Sequence, residues 1–368
     1  MLPMETIVDP LIERIRAAAE RGTPLRIRGG GSKDFYGERL EGELLETAPL
    51  DGITSYEPTE LVVTALAGTP LAQVEAALAE RGQCLPFEPP HFGGGATIGG
   101  MVAAGLSGPA RASVGSVRDY VLGLTVVNGR GELLTFGGQV MKNVAGYDVS
   151  RLIAGSLGTL GLIVEVSLKV LPVAPRQATL KFELAQQEAL RRLNAWGGQP
   201  LPLNASCWVR DNGVDTLFLR LRGAAAAVES ACLSLGGERQ DEARVAGDWD
   251  ACRDQRLPWF AERGARDLWR LSVPQTAPVL DLPEPPLVEW HGGQRWVRAE
   301  PGAAALLRRA AAQAGGHATL FAPAAGRAEP ASGRLAPLAP ALARIHRELK
   351  RQFDPAGILN RGRLYPDF

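Results

Sequence analysis

Apolar positions along this 368-residue chain follow two rhythms. Between residues 6 and 21 they recur at the three- and four-residue spacing of one helix face, which predicts an amphipathic helix. LRIRG at 25–29 reads as a short buried strand, followed by a turn-rich stretch to about Leu50. ELVVTALAG (60–68) has the β-branched content of a strand. LAQVEAALAERG (71–82) returns to helical spacing and stops at Gly82, a residue suited to a helix C-terminus. VLGLTVVNGRGELLTF (121–136) reads as two apolar strands around an NGRG turn. GLIVEVSLKVLP (161–172) is a further strand, closed by Pro172 and Pro175.

The pattern changes near residue 175. LKFEL (180–184), a helix at 186–196, ASCWVR (205–210), a DNG turn, VDTLFLRLRG (214–223) and a helix near 224–235 form a β-α-β-β-α series. LWRLSVP (268–274) and LVEWHGGQRWVRA (287–299) add strands, then a helix at 303–314 and HATLFAP (317–323) follow. Such a series predicts an antiparallel sheet with helices, an α+β domain. Residues 323–340, rich in Pro, Gly and Ala, read as a mobile loop before an amphipathic helix at 341–353. Lys350 and Arg351 near its end read as favourable charges at a helix C-terminus. The expected division is 1–175 (subdomains of about 1–55 and 56–175), 176–339, and a closing segment 340–368.

Composition narrows the chemistry. Forty Lys and Arg balance forty Asp and Glu, which argues against a nucleic-acid surface held by bulk charge. No apolar run is long enough to span a bilayer, and the acidic N-terminal helix does not read as a secretory signal. Cys84, Cys207, Cys232 and Cys252 are scattered without a CxxC pair, so reduced core thiols in a cytoplasmic protein are expected. His91, His291, His317 and His346 show no metal-ligand spacing, and no metal is expected. Glycine is 43 of 368, well above the usual ~7%, and much of the excess precedes residue 162.

Three glycine-rich segments hold thirteen of these glycines: RGGGSK (28–33), GGGATIGGMVAAGLSGP (93–109) and AGSLGTLGLIVEVSLKVLP (154–172). Consecutive small residues let backbone N–H groups form a concave nest for phosphate oxygens. RGGGSK is neither GxGxxG opening a long helix nor a loop ending in GK[ST]. Tight turns explain each segment alone; a flat ligand lying against backbone explains the three together.

These segments resemble the FAD-binding domain of the vanillyl-alcohol oxidase / p-cresol methylhydroxylase superfamily. RGGGSK resembles its pyrophosphate loop, GATIGGMVAAGLSG its second flavin-embracing loop, GYDVSRLIAGSLGTLGLIVEV its strand-entry segment and FDPAGILNRGRLY (353–365) its closing motif. EPPHFGGGATIGG, SGPARASVGSVRDYVLG, MKNVAGYDVSRL and EWHGGQRW are similar to the FAD-binding subunits of bacterial glycolate oxidases. The resemblance implies a two-part FAD domain, an inserted α+β cap, and a C-terminal segment returning to the FAD domain. It implies diphosphate binding by Arg28, Gly29, Gly30, Gly31, Ser32 and Lys33. It implies further flavin contacts from Pro90, Ala96, Thr97, Ile98, Gly99, Gly100, Ala104, Gly105, Gly108, Gly161 and Ile163, with Asn360 near the isoalloxazine. Members with covalent flavin often carry histidine in the first loop. Ser32 and Lys33 stand here, and the second loop has no cysteine, so FAD is expected to be non-covalent. His91 precedes that loop as a surface or supporting residue.

The same resemblance implies a small 2-hydroxy-acid substrate, glycolate going to glyoxylate. It also implies two partners, a second FAD-binding catalytic subunit and an iron–sulfur subunit, with membrane contact made only through them. Related dehydrogenases build a metal site from a histidine cluster, of which AGGHATLFAPA (314–324) keeps only His317, and ASGR (331–334) lacks the following pair. A carboxylate calls for a forked cation, which makes Arg295 beside Trp290 and Trp296 a weak candidate, together with His317 and Asn360; no catalytic base is identified. Three alternatives stay open: an assembly subunit with non-catalytic FAD, a different 2-hydroxy-acid flavin dehydrogenase, and, less favoured, an NADPH-dependent UDP-sugar reductase.

Overall fold

A computed structural model describes residues 4–138, 148–211, 213–324 and 333–368. MKNVAGY at the start of one motif, Asn212 of the DNG turn, and 325–332 of the Pro/Gly/Ala stretch with half of ASGR lie outside these residues. The chain divides into two compact units: Met1–Leu106 with Ser116–Pro172 and Pro337–Phe368, and Ser107–Gly115 with Val173–Ala336. Mixed helix and sheet characterise both.

The first unit opens with the helix Met4–Arg21, whose Val8, Leu11, Ile15 and Ala18 are buried at helical spacing. Strand β1 (Leu25–Arg28) pairs in parallel with β2 (Glu43–Glu46). On its other side β1 meets the closing segment: Leu25 N–H donates to Ile358 O at 2.7 Å, and Asn360 N–H to Leu25 O at 2.9 Å. A five-stranded sheet follows. It contains β3 (Ile53–Glu57), β4 (Val62–Leu66), β6 (Val121–Val127), β7 (Leu133–Gly137) and β8 (Leu162–Lys169), in the order β3-β4-β8-β6-β7. Two-residue strands β5 (Gln83–Cys84) and β9 (Leu171–Pro172) pair separately. Every residue of β4 is buried and nearly all of β8, as central strands covered on both faces require; β7, at the edge, alternates exposed and half-buried. Asn128 fixes the β6–β7 turn by accepting from Arg130 N (2.9 Å) and Glu132 N (3.0 Å), and Gly131 supplies φ +70°.

The helix Leu71–Ala79 buries Leu71, Val74 and Leu78 and ends near Gly82 at φ +62°. The helix Ile98–Ala104 is capped by Thr97, whose Oγ1 accepts from Gly100 N, and terminated by Gly105 at φ +66°. The last helix, Pro340–Phe353, does not end as the sequence suggests. Lys350 is buried, donating from Nζ to Asp354 Oδ2 (2.7 Å), Thr159 O (2.9 Å) and Leu359 O (2.6 Å). It cross-links three segments rather than decorating a helix terminus, and burial draws its ammonium below the usual lysine range despite Asp354.

The second unit is one eight-stranded antiparallel sheet with helices. Its strands are β10 (Arg176–Glu183), β11 (Leu203–Asp211), β12 (Val214–Gly223), β13 (Glu238–Arg239), β14 (Asp267–Ser272), β15 (Leu287–Glu289), β16 (Gln294–Ala299) and β17 (His317–Ala322). Their order is β13-β10-β12-β11-β15-β16-β14-β17. One core joins β10–β12 to the helices Gln186–Gly197 and Ala225–Leu235 around Trp208 and Leu219; another joins β14, β16 and β17 to Ala304–Gln313. Sequence pattern missed the helices Glu242–Arg253 and Pro258–Ala261.

Residues 107–115, expected with the first domain, pack in this second unit, and the EWHGG turn is what holds them. Trp290 donates from Nε1 to Gly108 O at 3.0 Å while Arg111 stacks over its ring at 4.4 Å. His291 lies 3.0 Å from Ser113 Oγ through Nε2 and 3.0 Å from Ser206 Oγ through Nδ1. Trp290 and His291 both adopt left-handed backbone, φ +53° and +55°, a strain offset by these contacts.

Candidate functional site

Strand β1 ends at Arg28 and delivers the three glycines to the floor of a concavity of about 100 Å³ in the first unit. Alternate amides of β1 point toward the closing segment: Leu25 N–H reaches Ile358 O, and Ile27 N–H reaches Asn360 Oδ1 at 2.6 Å. Gly29 is next in that alternation. Among the described residues, the N–H groups of Gly29, Gly30, Gly31 and Ser32 make no hydrogen bond. Four consecutive free amides, with Gly31 at φ +76°, are donors of the kind that an anion-binding nest requires.

Two cations flank it. Arg28 Nε is 2.7 Å from Asp34 Oδ2, and its guanidinium lies where a Cβ on Gly31 would stand, 2.1 Å from the nearest nitrogen. Lys33 Nζ reaches Ser32 Oγ at 3.2 Å and sits 5.7 Å from the Phe92 ring centroid. The opposite wall is side-chain-poor: Gly99, Gly100, Ala103 and Ala104 from one helix, Leu157, Gly158, Gly161 and Ile163 from the strand entry, and Ala67. The concavity is smaller than the ~300–1,000 Å³ of pockets that bury a whole small ligand, so it suits one part of an extended molecule. Free amides, a cation and a flat apolar wall fit a diphosphate with a planar group beside it.

Of the residues singled out in the sequence, the structure brings Arg28 through Lys33, Gly99, Gly100, Ala104, Gly161, Ile163 and Asn360 together around this concavity. Others stand behind it. Pro90 and Ile98 are buried, Ala96 O accepts from Leu71 N, Thr97 caps its helix, and Gly105 packs on Gly155. Gly108 belongs to the second unit, its carbonyl held by Trp290. Gly30 is glycine for a reason the sequence did not show: a Cβ there would fall 1.4 Å from Gly95 O, so the first two glycine loops touch backbone to backbone. His91 pairs with Glu75 at 2.9 Å.

The candidates for substrate chemistry need correction. Arg295 is fully buried and gives its guanidinium to backbone oxygens, Pro278 O at 2.6 Å, Ala277 O at 2.8 Å and Gly292 O at 3.4 Å. Burial pulls its pKa down to about 10. It is a structural strut and not available to a substrate carboxylate. Asn360, at φ +42°, engages both ends of its amide, accepting from Ile27 N and donating to Leu157 O at 2.6 Å. It clamps β1 to the 157–163 turn. His317 starts β17 opposite Ser272, exposed, with its imidazole pushed below the usual range by desolvation and Arg270. Among the described residues no group of three or more His, Cys, Asp or Glu is placed to hold a metal. Sequence reasoning missed Thr47, Ala67, Gly158 and Arg363 in the wall; the last two lie inside motifs already recognised, in GSLGTLG and NRGR.

The family model for the FAD binding domain matches residues 6–137, which contain the nest and the helix facing it. Over 360 residues the chain is 46% identical to glycolate oxidase subunit GlcE of Escherichia coli (strain K12), covering 97% of both chains. The chain belongs to the glycolate oxidase subunit GlcE family. It is also 30% identical to D-2-hydroxyglutarate dehydrogenase of Xanthomonas citri pv. viticola, over 66% of this chain and 52% of that one. Identity to glycolate oxidase subunit GlcD of Bacillus subtilis (strain 168) is 32%, over 47% of this chain and 37% of that one. A solved alkyldihydroxyacetonephosphate synthase superposes with a TM-score of 0.66 at 15% identity, over 96% of this chain and 74% of that one. That likeness establishes the fold alone, and the matches to glycolate oxidase and dehydrogenase sequences make this GlcE-family chain a flavin oxidoreductase with FAD as its cofactor.

Proposed function

We propose that this chain is the FAD-binding subunit of a glycolate-oxidising complex, converting glycolate to glyoxylate with electrons passed to partner subunits. One observation carries the assignment of the cofactor site: four free backbone amides at residues 29–32 open onto a glycine-walled concavity inside the matched domain. The amides of Gly29 to Ser32 would hold the diphosphate, Lys33 would balance its charge, and Ile27, Ala67 and Ile163 would lie against the apolar parts. Among the described residues lining the concavity there is no His, Cys or Tyr to attach the flavin, which supports non-covalent binding. Bound FAD supplies an acceptor for a hydride from the carbinol carbon. The partners are a GlcD-type flavoprotein and an iron–sulfur subunit that carries electrons onward.

A second reading, that FAD here is non-catalytic and the chain serves assembly, is favoured by the fates of Arg295 and Asn360, whose donors are engaged by backbone. Anaerobic addition of glycolate to the purified chain, followed at the flavin absorption band, separates the two. The oxidising role requires bleaching by glycolate in the chain or in the assembled complex at this subunit's flavin; flavin that stays oxidised while the complex turns over establishes the assembly role. EDTA is expected to leave the response of the isolated chain unchanged.

A further inference from the structure

Arg363, which sequence reasoning passed over, lies in the wall of the concavity and is 5% exposed. Its guanidinium collects four backbone carbonyls from one loop: Nη2 donates to Lys33 O (3.3 Å), Asp34 O (2.9 Å) and Tyr36 O, and Nη1 to Glu38 O. The loop answers, Glu38 N–H donating to Arg363 O at 2.8 Å. Gly37 makes this convergence possible, at φ +88° and with so little room that a Cβ would stand 3.0 Å from Arg363 O. Four carbonyl dipoles converging on one point repel unless a forked cation lies between them. The segment they belong to continues directly from the nest, and Asp34 N–H donates to Gly31 O at 3.1 Å. With the carbonyls of Lys33, Asp34, Tyr36 and Glu38 tied to Arg363, the chain is fixed immediately after residues 29–32, which line the concavity. Arg28 is already neutralised by Asp34, so Arg363 also supplies positive potential beside Lys33.

We propose that Arg363 is the positioning residue of the diphosphate nest, selecting for ligands that carry a diphosphate over those that carry only the flavin ring. This rests on the reading that the nest receives the diphosphate of FAD. The test uses flavin-depleted full-length protein titrated by calorimetry with FAD, ADP and riboflavin. Arg363→Met is expected to weaken FAD and ADP by about 100-fold, the scale of losing charge-assisted hydrogen bonds, and to leave riboflavin within a few-fold of wild type. Arg363→Lys, which keeps the charge without the fork, should recover about 10-fold of that loss. If Arg363→Met does not fold, Arg363→Lys carries the same comparison, with ADP weakened and riboflavin not. Equal weakening of all three ligands would make Arg363 a structural residue only and overturn the proposal, as would unchanged ADP affinity in both variants. Wild-type protein that binds riboflavin but not ADP would instead overturn the nest assignment itself.

Discussion

Replacing Lys350 by methionine tests how the closing segment is held. Lys350 and Asp354 are 2.7 Å apart, with side chains 9% and 0% exposed. Methionine keeps the length and apolar stem but removes three donated hydrogen bonds. Asp354 then keeps its bond from Leu359 N at 2.7 Å but loses its counter-charge, and the carbonyls of Thr159 and Leu359 lose a donor. An uncompensated buried charge costs roughly 3–5 kcal/mol, and each orphaned carbonyl about 1–3 kcal/mol where water cannot reach it. These terms overlap, so a loss of about 4 kcal/mol is expected, or roughly 10 °C in the melting of a unit this size. All seven tryptophans (196, 208, 249, 259, 269, 290 and 296) lie in the second unit, so their emission is an internal control. The assay is urea-dependent hydrogen exchange in peptides covering 154–170 and 354–368, read beside tryptophan emission. Because the folded-state pKa of Lys350 is lowered, the unfolded chain holds more protons at alkaline pH. That group therefore makes stability rise toward pH 10.5, a slope the variant should lack. A loss below about 1 kcal/mol in the first unit would refute the buried cross-link.

Other expected outcomes follow from the same geometry. His291, neutral in the fold with its pKa lowered by burial to about 4 from 6.5, should make the second unit lose about 3 kcal/mol as pH falls through that window, where the unfolded chain binds the extra proton. His291→Asn, which tolerates the left-handed backbone, should flatten that dependence in tryptophan emission. Gly30→Val should abolish flavin binding by forcing the 29–33 and 93–95 loops apart, whereas Gly94→Ala, with nothing within 4 Å of its Cβ, should retain it; absorbance at the flavin band reads both. Arg295→Lys should lower the stability of the second unit by about 2 kcal/mol and leave the glycolate KM of the assembled complex unchanged, because its partners are backbone carbonyls.

How much was legible depended on how local the cause was. The β6–β7 hairpin was readable because NGRG sits between two apolar runs, and β8 because six of its eight positions are apolar or small. β2 (ELLE) and β3 (ITSYE) were hidden because they are short and rich in polar residues, and β1 and β4 supply the reason for their pairing. The helix Glu242–Arg253 buries only Val245, Trp249 and Cys252, and Gly247 interrupts its pattern. In the site, glycine spacing revealed the loops but not why each glycine is needed. Gly30 is dictated by Gly95, far along the chain, and Gly31 by the Arg28 side chain folded over it. Arg295 and Lys350 show the limit most clearly: a basic residue on a strand or helix reads as exposed until the fold places it against carbonyls.

Whether the 29–33 nest holds a non-covalent FAD is decided on the purified full-length chain by denaturation and analysis of what leaves it. The expected result is a yellow protein that releases intact FAD into the supernatant, about one per chain, and that regains it on adding FAD after depletion. A folded, colourless protein that takes up no added FAD, or flavin that remains with the precipitated polypeptide, would contradict the claim.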